Sequence, residues 1–406
     1  MKTYLFPLVF AALSFASTSL NAQGLLSLTQ RNADYSENIP LTFNLSVGGG
    51  YDYTEYSTPG SENVESYFAQ AGVGLIYAQT GKTTQWNIGV DLGATRYFED
   101  DQRGDDLYYN TRLALNFAHQ FTRRLTFSNN LYFTYEIEPD YDIGFTSGRR
   151  NGQYIYAHEN ASVAYAWTER LATTTGYTAQ MIHYVDDDLT GQFEDRLTQI
   201  FSQQISYKIS RKTSLTLEYR YSMTNYEDAD EDNIAGVGNP DYTSHYLLVG
   251  VDQAWSDRLS ASVRVGAELY QSDRQDKTSP YLEGSLSYQL AKRTNLNWYA
   301  QVGSDGSELG LYDARYSYRT GLNLSHQFTE RFRGFTGVNY AYSTFEGNEL
   351  VGDSNENQIN ASLGFSYNFW SNLSLEGSYS YTTIISDTEA REFQRHRVDL
   401  GLNATF

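Results

Sequence analysis

The sequence predicts an all-β protein, a transmembrane antiparallel up-and-down β-barrel of about 18 strands, and three observations carry that prediction. The first is a period of two in hydrophobicity. Leu215, Leu217, Tyr219, Tyr221 and Met223 alternate with Thr216, Glu218, Arg220 and Ser222, which gives a strand one apolar and one polar face. The second is a series of short turns: TGK at 80, TRR at 122, TER at 168, SRK at 210, SDR at 256, AKR at 291, TER at 329 and SN at 371. Their spacings of 42, 46, 42, 46, 35, 38 and 42 residues each hold two strands and one longer loop. Eight hairpins closed by these turns, with one strand left at either end, give the strand number and put both termini on one side. The third is proline placement, because a central strand rejects proline. Pro40 and Pro280 are expected at strand starts, Pro59, Pro139 and Pro240 in loops, and Pro7 ahead of the barrel.

Composition narrows the class. The 406 residues carry a formal charge of −20, 36 tyrosines and no cysteine. A mean hydropathy of −0.53, with no apolar run of about 18 residues beyond the N-terminus, excludes a bundle of membrane helices. It does not exclude a barrel, whose alternating strands average to polar. The lack of cysteine removes disulfides, thiol catalysis and cysteine-based metal sites together. An acidic balance argues against nucleic acid as a partner. Nothing in the chain calls for a cofactor, and it reads as a non-enzyme.

Along the chain, Lys2, the apolar stretch from Tyr4 to Ser19 and Leu20-Asn21-Ala22 before Gln23 mark residues 1–22 as a signal peptide. Residues 23–40 form a short periplasmic segment, and 41–406 the barrel. Strands of roughly 10 to 14 residues cross a bilayer at barrel tilt. Val263, Val265, Ala267 and Leu269 oppose Ser262, Arg264, Gly266 and Glu268, while Leu363, Phe365, Tyr367 and Phe369 oppose Gly364, Ser366 and Asn368. Asn129 and Gln203 break the rule by falling on the lipid face. Phe121, Trp167, Trp255, Phe328 and Trp370 precede short turns, where an interfacial aromatic girdle belongs. The last strand, Val398 to Phe406, alternates and stops on an aromatic. Its Asp399, Gly401, Ala404 and Phe406 resemble the C-terminal assembly signal of bacterial outer-membrane barrels, which implies the barrel insertion machinery as a partner.

The start of the barrel, LTFNLSVGGGYDYTEYS at 41–57, followed by strands rich in Tyr and Gly, is similar to the beta-barrel porin-2 family of bacterial outer-membrane proteins. That resemblance implies a porin-like channel in the cell outer membrane, reached by signal-peptide-dependent export. It would pass small solutes or ions by diffusion and contact lipid and lipopolysaccharide. A non-conducting structural or adhesin-like barrel, or an outer-membrane partner in envelope polysaccharide export, are the alternatives. The sequence specifies no oligomeric state.

Alternation assigns a charged lumen. Asp52, Asp91, Glu218, Asp252, Glu268, Glu283, Glu376 and Asp399 face it, against Arg112, Lys208, Arg220, Arg264 and Arg397. Eight acids against five bases predict a modest preference for cations, because excess charge of one sign in a low-dielectric channel focuses its field. Tyr132, Tyr270 and Tyr299 are lumen positions able to stack on sugars. His119 and His326, in matching AHQF and SHQF segments, read as an interfacial belt. His158, His183, His245 and His396 are expected near the outer ends, His183 beside the acidic run Asp186–Asp188, which reads as a solvated face rather than a catalytic pair. The acidic loops from Glu99 to Asp106 and Glu227 to Asp232 suit loose divalent bridging. Asp228, Asp230 and Asp232 begin a calcium-loop spacing that fails at Asn233 and Asn239, so no metal site is predicted.

Overall fold

A computed structural model describes residues 41–57, 63–98, 107–137, 153–185, 195–227, 240–305, 312, 314–347, 352–387 and 391–406. The signal peptide, the 23–40 segment, the Asp186–Asp188 run, the calcium-loop spacing and all but Glu227 of the acidic loops lie outside them. Eighteen strands run in chain order. The first nine are β1 (Leu41–Tyr56), β2 (Val64–Thr80), β3 (Thr84–Tyr97), β4 (Leu107–Gln120), β5 (Leu125–Ile137), β6 (Gln153–Ala166), β7 (Leu171–Tyr184), β8 (Arg196–Lys208) and β9 (Thr213–Tyr226). The second nine are β10 (Tyr242–Ser256), β11 (Leu259–Ser272), β12 (Asp276–Ala291), β13 (Thr294–Asp305), β14 (Ala314–Gln327), β15 (Phe332–Glu346), β16 (Ser354–Trp370), β17 (Leu373–Ser386) and β18 (Phe393–Thr405). At 12 to 17 residues, several strands outrun the expected length.

Each strand pairs antiparallel with its chain neighbours, and β1 pairs with both β2 and β18, so the sheet has no edge. Closure is what makes the architecture tolerable in lipid, where an unpaired backbone amide has no water to turn to. The last residue takes part: the Phe406 carbonyl accepts the Phe43 N–H at 2.9 Å, and the Phe406 N–H donates to the Phe43 carbonyl at 2.8 Å.

The alternation read from the sequence becomes two faces. Outside, Leu41, Phe43, Leu45 and Val47 of β1, Leu247, Val249 and Val251 of β10 and Val398, Leu400 and Leu402 of β18 are bare. A surface this apolar is the signature of a membrane partner. Inside, serine, threonine, asparagine and charged residues dominate the buried set, and the apolar exceptions gather toward the long-loop end. There Phe68, Tyr97 and Tyr108 form one cluster and Tyr154, Ile182 and Tyr184 another.

All eight short turns are hairpin turns, and their first residue explains the recurrent Thr/Ser. The Thr122 hydroxyl accepts the N–H groups of Arg124 and Leu125, Thr168 those of Arg170 and Leu171, and Thr329 those of Arg331 and Phe332, at 2.9 to 3.2 Å. The side chain thereby satisfies turn amides that the ladder leaves open. Three two-residue turns follow a bulge, at Ala254/Ser256, Gln289/Ala291 and Asn368/Trp370, and at the first of them the Ser256 hydroxyl again accepts a turn amide, that of Arg258. The unpaired residues are Trp255, Leu290 and Phe369, all exposed on the apolar face. Phe121, Trp167, Phe328 and Trp370 are likewise exposed at this end.

Pro280 corrects one expectation. It lies inside β12, paired with Ala267 of β11, rather than at a strand start. The ladder between β12 and β13 begins only at Leu282↔Val302, and the Pro280 carbonyl accepts from Tyr316 Oη of β14 at 3.0 Å. A residue's N and O point to the same side of a strand, so the missing N–H falls where no β13 partner exists.

Candidate functional site: the charged inner wall

Among the inward residues of β9 to β12 are Glu218, Arg220, Asp252, Arg264, Glu268, Tyr281 and Glu283, brought together because the register pairs Gly250↔Arg264↔Glu283 across three strands. Arg220 holds Glu283 through both terminal nitrogens, at 2.8 and 2.7 Å, and reaches Glu218 through Nε at 2.5 Å. Tyr281 donates to Glu283 at 2.9 Å, and Arg264 Nη1 lies 2.8 Å from Asp252 Oδ1. Bidentate pairs of this kind are the strong, orientationally fixed ones. Room for Arg264 comes from Gly250, where an added Cβ would stand 2.3 Å from Arg264 Cδ and 2.5 Å from the Val263 carbonyl.

A second cluster straddles the closing seam. Arg395 Nε donates to Asp52 Oδ1 at 2.8 Å, its Nη2 binds the other oxygen, and Arg397 Nη1 reaches the same carboxylate at 3.4 Å. Arg397 also binds Asp399 and lies 4.2 Å over the Phe68 ring. The glycine run in β1 makes this possible: a Cβ on Gly50 would stand 2.6 Å from Phe68 Cζ and 1.9 Å from the Val398 carbonyl. A third pair, Arg112 and Glu136 at 2.5 Å, is supported by Thr134 donating to Glu136 at 2.8 Å. Asp91 lies opposite Arg112 in the register.

These positions revise the expected charge balance. Arg196, Lys277, Arg315, Arg319, Arg333 and Arg395 share the inward register with the assigned bases, and Glu136 and Glu356 with the acids. Six further bases against two further acids bring the wall near neutrality. The same alternation signal would have found them: Arg315, Ser317 and Arg319 oppose Tyr316 and Tyr318. Nor do the assigned charges simply line water. Asp52 is 1% exposed, Arg264 5% and Glu268 0%.

Glu268 sits under Ser244, Tyr246 and the Ser304 amide, which donate to it at 3.0, 2.8 and 2.9 Å. Tyr270 is fully buried against Tyr242, with ring centroids 4.9 Å apart, so it offers no face to a sugar. Tyr299 donates to Asn339, and Tyr132 packs near Tyr156. Lys208 stands apart at the short-turn end, inward and without an ion pair among the described residues. Glu376 lies 3.4 Å from Ser374 Oγ.

The histidines divide by face. His119 and His326 are outward and bonded to Thr84 and Thr294 at 2.7 and 2.8 Å. His245 and His396 are outward and bonded to Tyr219 and Tyr379, both at 2.8 Å. His158 is not near a strand end as expected but well inside β6, facing Gln180 at 3.2 Å. His183 pairs with Asp195 at 2.5 Å and lies 3.6 Å from Glu227. Among the described residues these three are the group whose donor atoms, all within 4.8 Å of one another, could hold a metal ion. Burial pushes the Asp195 carboxyl up, while the Tyr184 N–H and His183 pull it down.

A closed 18-stranded barrel, apolar outside and charged inside, defines a bacterial outer-membrane β-barrel protein. The profile of the family described as Putative beta-barrel porin 2 matches residues 240–406, in agreement with the resemblance read from the barrel's first strand. No curated protein matches the chain in sequence.

Among solved structures, a BenF-like porin from Pseudomonas fluorescens Pf-5 is similar at 12% identity and a TM-score of 0.49, covering 90% of this chain and 99% of that one. OccAB4 of Acinetobacter baumannii matches at 10% identity and 0.46, covering 91% and 100%. OccK1 (OpdK) of Pseudomonas aeruginosa matches at 13% and 0.46, covering 90% and 99%. These are likenesses of architecture and carry nothing about what passes through the barrel.

Proposed function

We propose that the protein is a porin-like channel for passive diffusion of small solutes or ions across the bacterial outer membrane. The observation that carries this reading is the inner wall: a barrel of 18 strands is too wide for side chains from one wall to fill, and here that wall is polar and charged. The matched family is one of porins. Residues 1–22 direct export and 23–40 form a short periplasmic segment, with the eight short turns on the periplasmic side. Lipopolysaccharide surrounds the outer end, and Asp399, Gly401, Ala404 and Phe406 present the assembly signal.

Purified protein in planar bilayers is expected to conduct in discrete steps. The near-neutral wall makes its cation preference weaker than eight acids against five bases implied, and Lys208→Glu is expected to shift reversal potentials toward cations, most clearly at low salt. Well-folded protein with no conductance would favour the non-conducting structural barrel; conductance with unchanged selectivity in the variant would remove Lys208 from the pathway.

Glu268 gives a contrasting expectation. Its neighbours Ser244, Tyr246 and the Ser304 amide all present donors, so Glu268→Lys sets a buried ammonium against them and is expected to reduce folded barrel rather than retune selectivity. Gel-shift assay of heat-modifiable protein measures that loss, and normal folding of the variant would refute the buried placement.

A further inference from the structure

The outer face of β5 to β8 sets polar groups among exposed apolar side chains such as Val163, Met181, Phe201 and Ile205. Outward charges elsewhere, Glu55, Glu65, Arg96, Asp276 and Glu346, stand at or next to strand ends. Glu159 does not: it lies in the middle of β6, paired across to Leu131 of β5 and Ala179 of β7. At about 3.3 Å per residue and a tilt near 40°, it is roughly 18 Å above the short-turn end of its strand, inside an apolar band about 25 Å tall. Asn129 donates to it at 3.0 Å.

Beside it on the same face, Thr175 donates to Gln203 Oε1 at 2.7 Å and Tyr177 to Gln199 Oε1 at 3.0 Å. Both bonds use the glutamine carbonyl, so the two Nε2 groups are left with their donors unpaired among the described residues. The second oxygen of Glu159 is unpaired in the same sense. Lipid offers these groups nothing. Ala157 and Ala161 flank Glu159 along β6 and Ala179 stands opposite it on β7, side chains short enough for another backbone to come close.

We infer that this face is an interface with a second copy of this chain, in a two-fold contact with its axis along the membrane normal through β7 near Ala179. The polar groups are arranged for that occupant. Ala179 lies between Glu159 on β6 and Gln199 on β8 in the register, so the acceptor is on one flank of β7 and the spare amide donors are on the other. A two-fold rotation brings the β6 flank of each copy against the β8 flank of its partner, and the carboxylate of each copy meets amides of the other. The contact is isologous and closes at two subunits. It leaves the lumen of each barrel unobstructed and is independent of whether that lumen conducts.

The chain has no cysteine, so single cysteines report proximity cleanly. In outer membranes, Ala179→Cys is expected to give a disulfide-linked species of twice the mass on mild oxidation. Val338→Cys, exposed on the outer face of β15, is expected to stay monomeric. Mass measurement of the purified, folded protein in detergent is expected to give a dimer, with Glu159→Leu weakening association about tenfold as two symmetry-related hydrogen bonds are lost. Glu159→Gln, which keeps the Asn129 contact, should fall between them.

A monomeric wild-type protein, equal cross-linking at both cysteines, or a Glu159→Leu variant that dimerises as before would each overturn the inference. A monomeric wild type whose Glu159→Leu form is merely more stable would show that the face meets lipid. Heat-modifiability of every variant separates lost association from failed folding.

Discussion

Asp52→Ala is expected to destabilise the folded barrel by about 3–5 kcal/mol, the scale seen when one partner of a buried ion pair is removed and the other is stranded. Asp52 is 1% exposed and its two oxygens are held by Arg395, with Arg397 sharing one of them. Removing it leaves two guanidinium groups beside each other under the Phe68–Tyr97 cluster. The pair also joins β1 to β18, residues 343 apart in sequence, so the loss falls on the one seam whose closure costs the most chain entropy. Urea unfolding in lipid vesicles, followed by tyrosine and tryptophan fluorescence, measures the change. Asp52→Asn, which keeps hydrogen bonds but not charge, should lose less. A shift under about 1 kcal/mol would mean the seam is held by its ladder, with the ion pair no better than an exposed one.

Deleting Phe406 is expected to lower the amount of assembled barrel severalfold while leaving export intact. The residue supplies two backbone hydrogen bonds to Phe43 and places an exposed aromatic at the membrane edge. Its loss shortens the β18–β1 ladder where the barrel closes, and a free edge in lipid has no alternative partner. The resemblance of Asp399, Gly401, Ala404 and Phe406 to the assembly signal gives a second reason for the same outcome. Phe406→Ala separates the two, because it keeps both backbone bonds and removes only the ring. Recovery of folded, heat-modifiable protein from outer-membrane fractions is the measurement. Normal recovery of the deletion would refute both the closure and the signal argument.

Local physics made much of this protein legible in its sequence. A strand inserted in a membrane with one face to lipid and one to a polar lumen must alternate, so Leu215 to Met223 and Val398 to Phe406 declare their faces without any knowledge of neighbours. Short turns need a hydroxyl or small polar residue to cap their amides, so Thr122, Thr168 and Thr329 mark hairpins. Together these gave the strand number, the antiparallel order and the common side of the termini.

Pairing across strands was not legible, because it depends on register and on which side of a residue lies open. Pro280 is tolerated inside β12 only because β13 has left that side of it. Glu218, Glu268 and Glu283 show their inward direction in the sequence, but only the register reveals that Arg220 holds Glu283 and that Ser244, Tyr246 and Ser304 bury Glu268.

The same division applies to Glu159. Alternation places its Cβ outward, a fact the sequence contained. That Asn129 donates to it, Ala179 stands opposite it and Gln199 lies one strand beyond Ala179 is a product of three strand pairings, each set by hairpin length and by the stagger of the closed sheet. The sequence by itself determined a membrane barrel with a polar inside. Tertiary structure decided which charges neutralise one another, since the sign of a residue is local but the distance to its partner is fixed only when the barrel closes.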